Sequence, residues 1–96
     1  MNTISYRKIR EFVRLHPIAE SSLSAWYKIA RKASWQNIVE VRRDYPHADL
    51  VGRFVVFNIA GNNYRLIAEI HFESQLILIR HILTHADYDK GNGKND

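Results

Sequence analysis

The sequence predicts an α+β fold in which helices pack on one face of a small antiparallel β-sheet. Residues 1–45 show the apolar spacing of amphipathic helices, whereas residues 53–83 contain apolar segments divided by turn residues, as strands do. Helices followed by strands favour α+β over alternating βαβ units. A chain of 96 residues has room for one core. We therefore assign residues 1–90 to a single domain and predict that the Gly/Asn-rich residues 91–96 form a disordered tail.

The first predicted helix follows Ser5, which can serve as its N-cap. Ile9, Phe12, Val13 and His16 then recur at the spacing of one helix face. Pro17 ends the helix, because proline disfavours helical geometry in the residue that precedes it.

A second helix is predicted to begin at a cap formed by Ser21 or Ser22. Its inward face would consist of Leu23, Trp26, Tyr27 and Ala30. Residues 37–44 are predicted to form a short third helix that ends at Tyr45-Pro46.

Residues 60–63 predict a tight β-hairpin, since Gly61 and Asn62 tolerate positive φ. A two-residue loop at Gly61-Asn62 pairs Asn58 with Arg65. Opposed residues share a face of the sheet and neighbours along a strand alternate, so one face is apolar. That face consists of Val55, Phe57, Ile59, Tyr64, Leu66, Ala68, Ile70 and Phe72; Asn58, Arg65, Glu69 and His71 lie on the other.

The next turn, at Glu73-Ser74, decides the position of Arg80. An even-length loop pairs residue 70 with 77 and residue 67 with 80. An odd-length loop would place Arg80 on the apolar face, which is costly for a charge. We therefore expect an open sheet face that carries Asn58, Arg65 and Arg80, provided that both loops are even.

Charge is divided unevenly along the chain. Residues 1–43 contain nine Lys/Arg against three Asp/Glu, and residues 44–96 contain five against seven. A basic half suits a polyanion such as nucleic acid, but it also suits a solvated helix surface, and charge alone does not separate the two. Arg31 and Lys32, at the end of the second helix, are candidate RNA-binding residues.

Composition excludes several classes of protein. The chain has no cysteine, so disulfides, thiol nucleophiles and Cys-type zinc sites are absent. Its apolar runs are shorter than the ~18 residues of a membrane span, and its first residues lack a signal-peptide core. We therefore expect a cytoplasmic protein without membrane contact.

The residues at the predicted sheet end suit RNA cleavage. Such cleavage needs a base for the 2′-OH, a cation for the phosphate and an acid for the leaving oxygen. Arg65 and Arg80 would bind phosphate, His85 would act as base or acid, and Tyr88 would stack on a base or donate a hydrogen bond. Lys90 would add a further cation. No metal or cofactor is expected, since a neighbouring hydroxyl is the nucleophile.

Each of these candidate residues also has an interpretation in which it is only structural. Arg65 is alternatively a solvated sheet residue, Arg80 a partner of Glu69, and His85 a residue that closes the strand end. Asp87 and Asp89 are typical of turns or helix caps. His81 and His85 have a metal-ligand spacing. The alternation of side chains along the strand places His81 on the apolar face, which disfavours a metal site. His16, His47 and His71 are interpreted as structural or surface residues.

Several short segments, in their order and spacing over residues 5–90, resemble the HigB-type toxins of bacterial toxin–antitoxin modules, a branch of the RelE/ParE superfamily. They are His16-Pro17, Leu23-x-x-Trp26-Tyr27, Ala33-x-Trp35, Tyr45-Pro46-x-Ala48-Asp49, Val56-Phe57-Asn58-Ile59-x-Gly61-Asn62-x-Tyr64-Arg65-Leu66 and Thr84-His85-x-x-Tyr88-Asp89. Position 60 departs from the family, being Ala where a second Gly is common.

The resemblance implies a RelE/ParE-like toxin fold, with two N-terminal helices on a small twisted sheet and Ile4 in a short first strand. It also implies an mRNA interferase, an endoribonuclease that cuts mRNA on translating ribosomes without a cofactor. A HigA-type helix-turn-helix antitoxin would be the partner, and DNA would be contacted only through that antitoxin. The matched motifs bring in Asn58, Asn62, Tyr64 and Arg65 from the hairpin, and His85, Tyr88 and Asp89 from the C-terminal segment.

Two other functions remain open from the sequence. One is a non-enzymatic toxin on the same fold, such as the gyrase-inhibiting ParE branch, because fold alone does not fix function. The other is a passive nucleic-acid-binding module that uses the basic helices. The cluster of Arg65, Arg80, His85 and Tyr88 favours the nuclease.

Overall fold

The computed structural model describes residues 1–91 and confirms the predicted α+β architecture, with most helices in the first half of the chain and most strands in the second. Five strands are present in this range: β1 (Asn2–Ile4), β2 (Asp49–Val51), β3 (Phe54–Ile59), β4 (Tyr64–His71) and β5 (Leu76–Thr84). Four α-helices accompany them: α1 (Tyr6–Leu15), α2 (Glu20–Lys32), α3 (Ile38–Asp44) and α4 (His85–Asp89). The predicted tail lies, apart from residue 91, outside the described residues.

The boundaries of the three predicted helices agree with the sequence prediction except at the start of α2, whereas α4 was not predicted. Ser5 occupies the N-cap position of α1 as predicted, but its side chain makes no capping hydrogen bond. Asn37 caps α3 by accepting a hydrogen bond from the backbone N–H of Glu40. The predicted cap at Ser21 or Ser22 is wrong, because both serines lie inside the first turn of α2. A 3₁₀ turn that begins with proline at residue 17 leads directly into α2, since proline already has a helical φ. No helix within residues 1–91 is long and apolar enough to cross a membrane.

The sheet has the strand order β1-β5-β4-β3-β2. The predicted antiparallel pairing holds for three of its four strand pairs, whereas β1 pairs in parallel with β5, so the sheet is mixed. A hairpin can produce only antiparallel neighbours, but β1 and β5 are separated by most of the chain and are free of that constraint.

The β3–β4 hairpin has the predicted register. Asn58 is paired with Arg65, and Ile59 with Tyr64. The residues with positive φ are Ala60 and Gly61, at 54° and 66°, instead of the expected Gly61 and Asn62. The loop thus keeps an even length while its left-handed residues begin one position earlier.

A β-bulge changes the register between β4 and β5. Ile70 pairs with Ile77 as predicted, but Ile67 lies opposite His81 and not opposite Arg80. Arg80 is therefore the extra residue of the bulge. His81 consequently shares the face of Ile67, so its predicted position on the helix-covered face is wrong.

The main core lies between the sheet and the first three helices, as the parity of the strands predicted. Its members come from both layers and include Ile9, Leu23, Trp26, Val41, Phe57 and Leu66, which are 0–1% exposed. The opposite face of the sheet has a second apolar cluster, formed by Phe54, Val56 and Ile67, which the sequence analysis did not predict. Val51, Leu83 and Tyr88 pack against this cluster, so α4 covers one end of the face that was expected to be open.

Candidate active site

The candidate site lies where β4 begins and β5 ends. Thr84, the last residue of β5, caps α4 by accepting a hydrogen bond of 3.1 Å from the backbone N–H of Asp87. The backbone N–H of His85 donates to the carbonyl oxygen of Asn63 at 2.9 Å, which attaches the start of α4 to the β3–β4 loop. These two contacts place the His85 side chain beside Arg65.

Arg65 is the most strongly bonded side chain of the site. Its Nη1 donates to the carbonyl oxygens of Asn62 and Tyr64, at 3.2 and 3.1 Å. Its Nη2 donates to the side-chain oxygen of Asn62 and lies 3.0 Å from His85 Nδ1. Arg65 is only 8% exposed, so the alternative of a solvated sheet residue is wrong, although Arg65 lies outside the apolar core clusters. A buried guanidinium held at four points is a rigid support for its neighbours.

The contacts of His85 define the position of its proton. Nδ1 lies near Nη2 of Arg65, and Nε2 lies 2.7 Å from Oδ2 of Asp89, one helical turn further along α4. Because a guanidinium has only donors, Nδ1 must act as the acceptor in this contact, and the proton of a neutral ring is on Nε2. Nδ1 is also 3.1 Å from the carbonyl oxygen of Asn62, but a proton directed there would oppose the N–H of Arg65. The geometry therefore fits a His85 ring that donates from Nε2 to Asp89.

Tyr88 forms an aromatic wall next to this cluster. The Arg65 guanidinium carbon lies 5.8 Å from the centre of the Tyr88 ring, within the range of a cation–π contact. Burial is the main cause that raises the pKa of the Tyr88 hydroxyl; Asp49 and Asp89 raise it further, whereas Arg65 lowers it. The phenol is thus kept protonated and can donate a hydrogen bond.

A cleft of about 470 Å³ opens beside Tyr88. This volume lies in the usual range of ligand sites. The cleft is lined by Arg42, Pro46, His47, Ala48, Asp49, Val56, Asn58, Arg65 and Tyr88. Asn58, the exposed partner of Arg65 in the hairpin, contributes a side-chain amide to the lining of this cleft.

The structure thus brings together most of the predicted site: Arg65, His85, Tyr88, Asn58 and Asn62. It does not bring Arg80 to them. Because of the bulge, Arg80 lies beside residue 67, about 7 Å along the sheet from residue 65. It lines clefts next to α1, together with Lys8, whereas the Arg65 side chain turns toward the β3–β4 loop. The predicted convergence of the two guanidinium groups is therefore wrong.

The remaining predicted RNA-binding residues lie outside this cluster. Lys90 is the exposed C-cap residue of α4, directly after the site. Arg31 and Lys32 lie at the opposite end of the sheet, because the Met1 nitrogen donates to the Arg31 carbonyl oxygen at 2.9 Å and β1 runs beside the start of β5. The eight residue-to-residue steps from 76 to 84 separate the two ends by about 26 Å.

The sequence analysis missed several residues of the site. The family resemblance brought in Asp89, but the residue pattern alone indicated a turn or cap residue and not the partner of His85. The i, i+4 spacing would have indicated this pair if residues 85–89 had been assigned to a helix. Arg42, His47 and Asp49 enter the Tyr88 cleft from other elements, and no sequence signal predicted them. No group of three or more His, Cys, Asp or Glu within residues 1–91 is placed to hold a metal ion.

Fold and site together define a small basic α+β protein with a histidine-centred cluster at one sheet end. The chain belongs to the HigB toxin family, the RelE-like toxic components of toxin–antitoxin systems, whose model matches residues 19–91. The resemblance found in the sequence is thereby confirmed. Membership of this family implies that an antitoxin is the partner of the chain.

Curated relatives match along almost the whole chain. The mRNA interferase HigB of Escherichia coli strain CFT073 is 30% identical over 93 residues, which cover 94% of this chain and 90% of that protein. The mRNA interferase toxin HigB of Escherichia coli strain K12 and the mRNA interferase HigB of Shigella flexneri are each 27% identical over 92 residues, covering 93% of this chain and 88% of those proteins.

Proposed function

We propose that this chain is an endoribonuclease that cleaves messenger RNA as the toxic component of its module. The observation that carries this proposal is the cluster in which Arg65 and Asp89 hold His85 beside the aromatic wall of Tyr88. The names of its relatives, all mRNA interferases, support the same activity.

Cleavage would proceed by attack of the RNA on itself. A base removes the proton of a 2′-OH, the 2′-oxygen bonds to the adjacent phosphorus, and the bond from phosphorus to the 5′-oxygen breaks. An acid supplies the proton that the leaving oxygen takes up, and the products carry a 2′,3′-cyclic phosphate and a 5′-OH. Since the nucleophile belongs to the substrate, this mechanism does not require a metal. Positioned acid and base groups contribute about 10²–10⁴-fold to such a rate.

Each residue of the site would have a separate role in this mechanism. Four of the five N–H donors of Arg65 would lie in its contacts with Asn62, Tyr64 and His85, so Arg65 would orient the imidazole and supply a fixed positive charge. His85 would transfer a proton at Nε2. Stacking of a nucleobase on the Tyr88 ring would use the cleft beside it, where the Asn58 amide can bond to the edge of the base.

We further propose that the RNA is cut on translating ribosomes in the cytoplasm, and that a HigA-type helix-turn-helix antitoxin neutralises the toxin. Contact with DNA would then occur only through the antitoxin. The excess of basic residues in the first 43 positions suits attachment to ribosomal RNA, because every phosphate neutralised by Lys or Arg releases counterions.

The deciding experiment is cell-free translation of a defined message with wild type, His85→Ala and, as a control at the far end of β4, His71→Ala. Primer extension would locate new RNA ends, and end-group analysis would detect the cyclic phosphate. We expect cleavage by wild type and His71→Ala, with a loss of at least about 100-fold in His85→Ala. Arrest of translation on an intact message would contradict the nuclease.

Ribosome dependence is tested with the same message free of ribosomes. We expect cleavage only when the message is being translated. Equal cleavage of the free message would contradict the ribosome proposal and leave the nuclease in place.

A further inference from the structure

We propose that His16 is the general base of the site, acting across a second cleft from His85, which serves as the acid. This assignment rests on the proposed RNA cleavage and adds a catalytic residue to it. His16 comes from the other half of the chain, where the first helix ends.

Both imidazoles line one open cleft of about 490 Å³. Its remaining walls come from the β3–β4 loop and the start of α4, which are the segments that hold the Arg65 cluster. The full lining is His16, Asn62, Asn63, Tyr64, Thr84, His85 and Ala86. The volume falls within the usual range for a small ligand, and here it would receive the sugar and phosphate at the cleaved bond.

Aromatic contacts fix the position of the His16 ring. It stacks on Phe12, with ring centres 4.4 Å apart and planes at 26°, and it lies 5.7 Å from the ring centre of Tyr64. Tyr64 is paired in the sheet with Thr84, the residue that precedes His85. Tyr64 therefore connects His16 to the end of β5, directly before His85.

The nitrogens of the two rings are in opposite situations. Neither ring nitrogen of His16 makes a hydrogen bond to any residue between 1 and 91, although the ring is only half-buried. In His85, by contrast, Nδ1 accepts from Arg65 and Nε2 carries the proton that Asp89 receives. His85 therefore presents a donor, whereas His16 has a lone pair available.

This contrast assigns the two proton transfers. Asp89 is exposed over 58% of its side chain, so a phosphate entering the cleft can displace it from His85 Nε2. For this step His85, whose Nε2 faces the Asp89 carboxylate, takes up a second proton on Nδ1, where the carbonyl oxygen of Asn62 at 3.1 Å can accept it in place of the contact with Arg65. The imidazolium would then give its Nε2 proton to the leaving 5′-oxygen as the P–O5′ bond breaks. His16 would take the proton from the attacking 2′-OH as the new O2′–P bond forms. The other polar side chains of the cleft are amides and hydroxyls, which are weak bases near neutral pH.

A substrate with sulfur in place of the 5′-bridging oxygen distinguishes the two roles, because a thiolate leaves without being protonated. The variant for the base is His16→Phe, which keeps an aromatic ring against Phe12 and Tyr64 but has no nitrogen. His16→Gln serves as a second variant that keeps a polar group. His71→Phe is the matched control, since His71 lies at the opposite end of β4.

We expect both His16 variants and His85→Ala to lose about 10²–10⁴-fold in single-turnover cleavage of the normal message. On the sulfur-containing message, His85→Ala should recover to within about tenfold of wild type, whereas the His16 variants should stay slow. The melting temperature and antitoxin binding of each variant would be measured to confirm folding.

Wild-type rates in either folded His16 variant would overturn the proposal, and so would recovery of the His16 variants on the sulfur substrate. Failure of wild type itself to cut the normal message would instead refute the proposed function. The two failures are therefore distinguishable within one set of reactions.

Discussion

The burial of Arg65 changes the interpretation of this residue from a phosphate-binding arginine to a positioning one. Its guanidinium bridges the β3–β4 loop and the imidazole at the start of α4. A planar group with several diverging donors can span these partners, which a single ammonium group cannot do. The role of Arg65 should therefore depend on its shape as well as on its charge.

Arg65→Lys is expected to abolish growth arrest in an inducible-expression assay, because lysine cannot bond to Asn62 and orient His85 at the same time. Arg65→Ala should do the same and should also lower the free energy of unfolding by about 1–3 kcal/mol, since it removes the hydrogen bonds of a buried guanidinium to the partly buried carbonyl oxygens of Asn62 and Tyr64. Denaturant unfolding measures the second effect. Full toxicity of Arg65→Lys would show that charge alone is sufficient.

Tyr45, which packs against the main core, provides a pH-dependent contribution to stability. Its ring packs edge-on against Phe57 at 5.3 Å, and burial, followed by the charge of Asp44, raises the pKa of its hydroxyl from 10.0 to about 12. The folded state thus holds this proton more tightly than the unfolded state does. The contribution is present in full below pH 10 and is lost as the pH rises toward 12.

We expect the stability of wild type to fall more steeply between pH 10 and pH 12 than that of Tyr45→Phe. The lysines titrate in both proteins, so their contribution to the pH dependence of stability cancels in this comparison. Urea unfolding at several pH values in this interval provides the measurement, and parallel curves would show that Tyr45 does not contribute.

At the scale of elements, α4 is a five-residue helix that carries three groups of the site: His85, Tyr88 and Asp89. A helix this short is not stable by itself in water. It depends on the Thr84 cap, on the bond from His85 to the β3–β4 loop, and on Tyr88 packed over the second apolar cluster. Cap and site geometry are consequently linked.

Thr84→Val keeps the shape of the side chain but removes the oxygen that accepts from Asp87. We expect a loss of about 1 kcal/mol, concentrated in α4, together with weaker RNA cleavage. Hydrogen exchange should show faster amide exchange at residues 86–89 and unchanged protection in β3 and β4. Unchanged exchange in α4 would mean that packing of Tyr88 alone holds the helix.

The accuracy of the sequence prediction also depends on the type of element. Alternation of apolar residues determined the β3–β4 register correctly, because a one-residue slip would expose the whole apolar face, including Leu66. The first residues of β5 lie on their predicted faces despite the bulge at Arg80. The alternation of apolar residues along the strand therefore gave no indication of the bulge. His81 and Arg80 were therefore misplaced while Ile77 was placed correctly.

The candidate site was predictable only where its residues lie in one strand pair or one short segment. Arg65 with Asn58, and His85 with Tyr88, were found in this way. His16 and Asp49 reach the clefts through tertiary packing of distant segments, which no local pattern reports. The second apolar cluster was missed for the same reason, since its cover comes from α4 and β2.

At the scale of the whole molecule, the basic charge and the cluster around His85 lie apart. Three arginines of α1, at positions 7, 10 and 14, line a surface cleft, and Arg31 and Lys32 end α2 about 26 Å from the site. A single strand of RNA that reached from His85 to Arg31 would have to cross the length of the sheet. Charge at the far end would then contribute to attachment and not to the chemical step.

The double variant Arg31→Ala/Lys32→Ala tests this separation of binding from chemistry. If both residues contact phosphates of a single strand, the slope of log affinity against log salt should become shallower by about 1.4, at roughly 0.7 for each contact. Cleavage of RNA that is already bound should keep its wild-type rate, because neither residue approaches the His85 cluster. Filter binding over a range of salt concentrations and single-turnover cleavage measure the two quantities. An unchanged slope would show that these cations only stabilise the end of α2, where they oppose the negative end of the helix dipole.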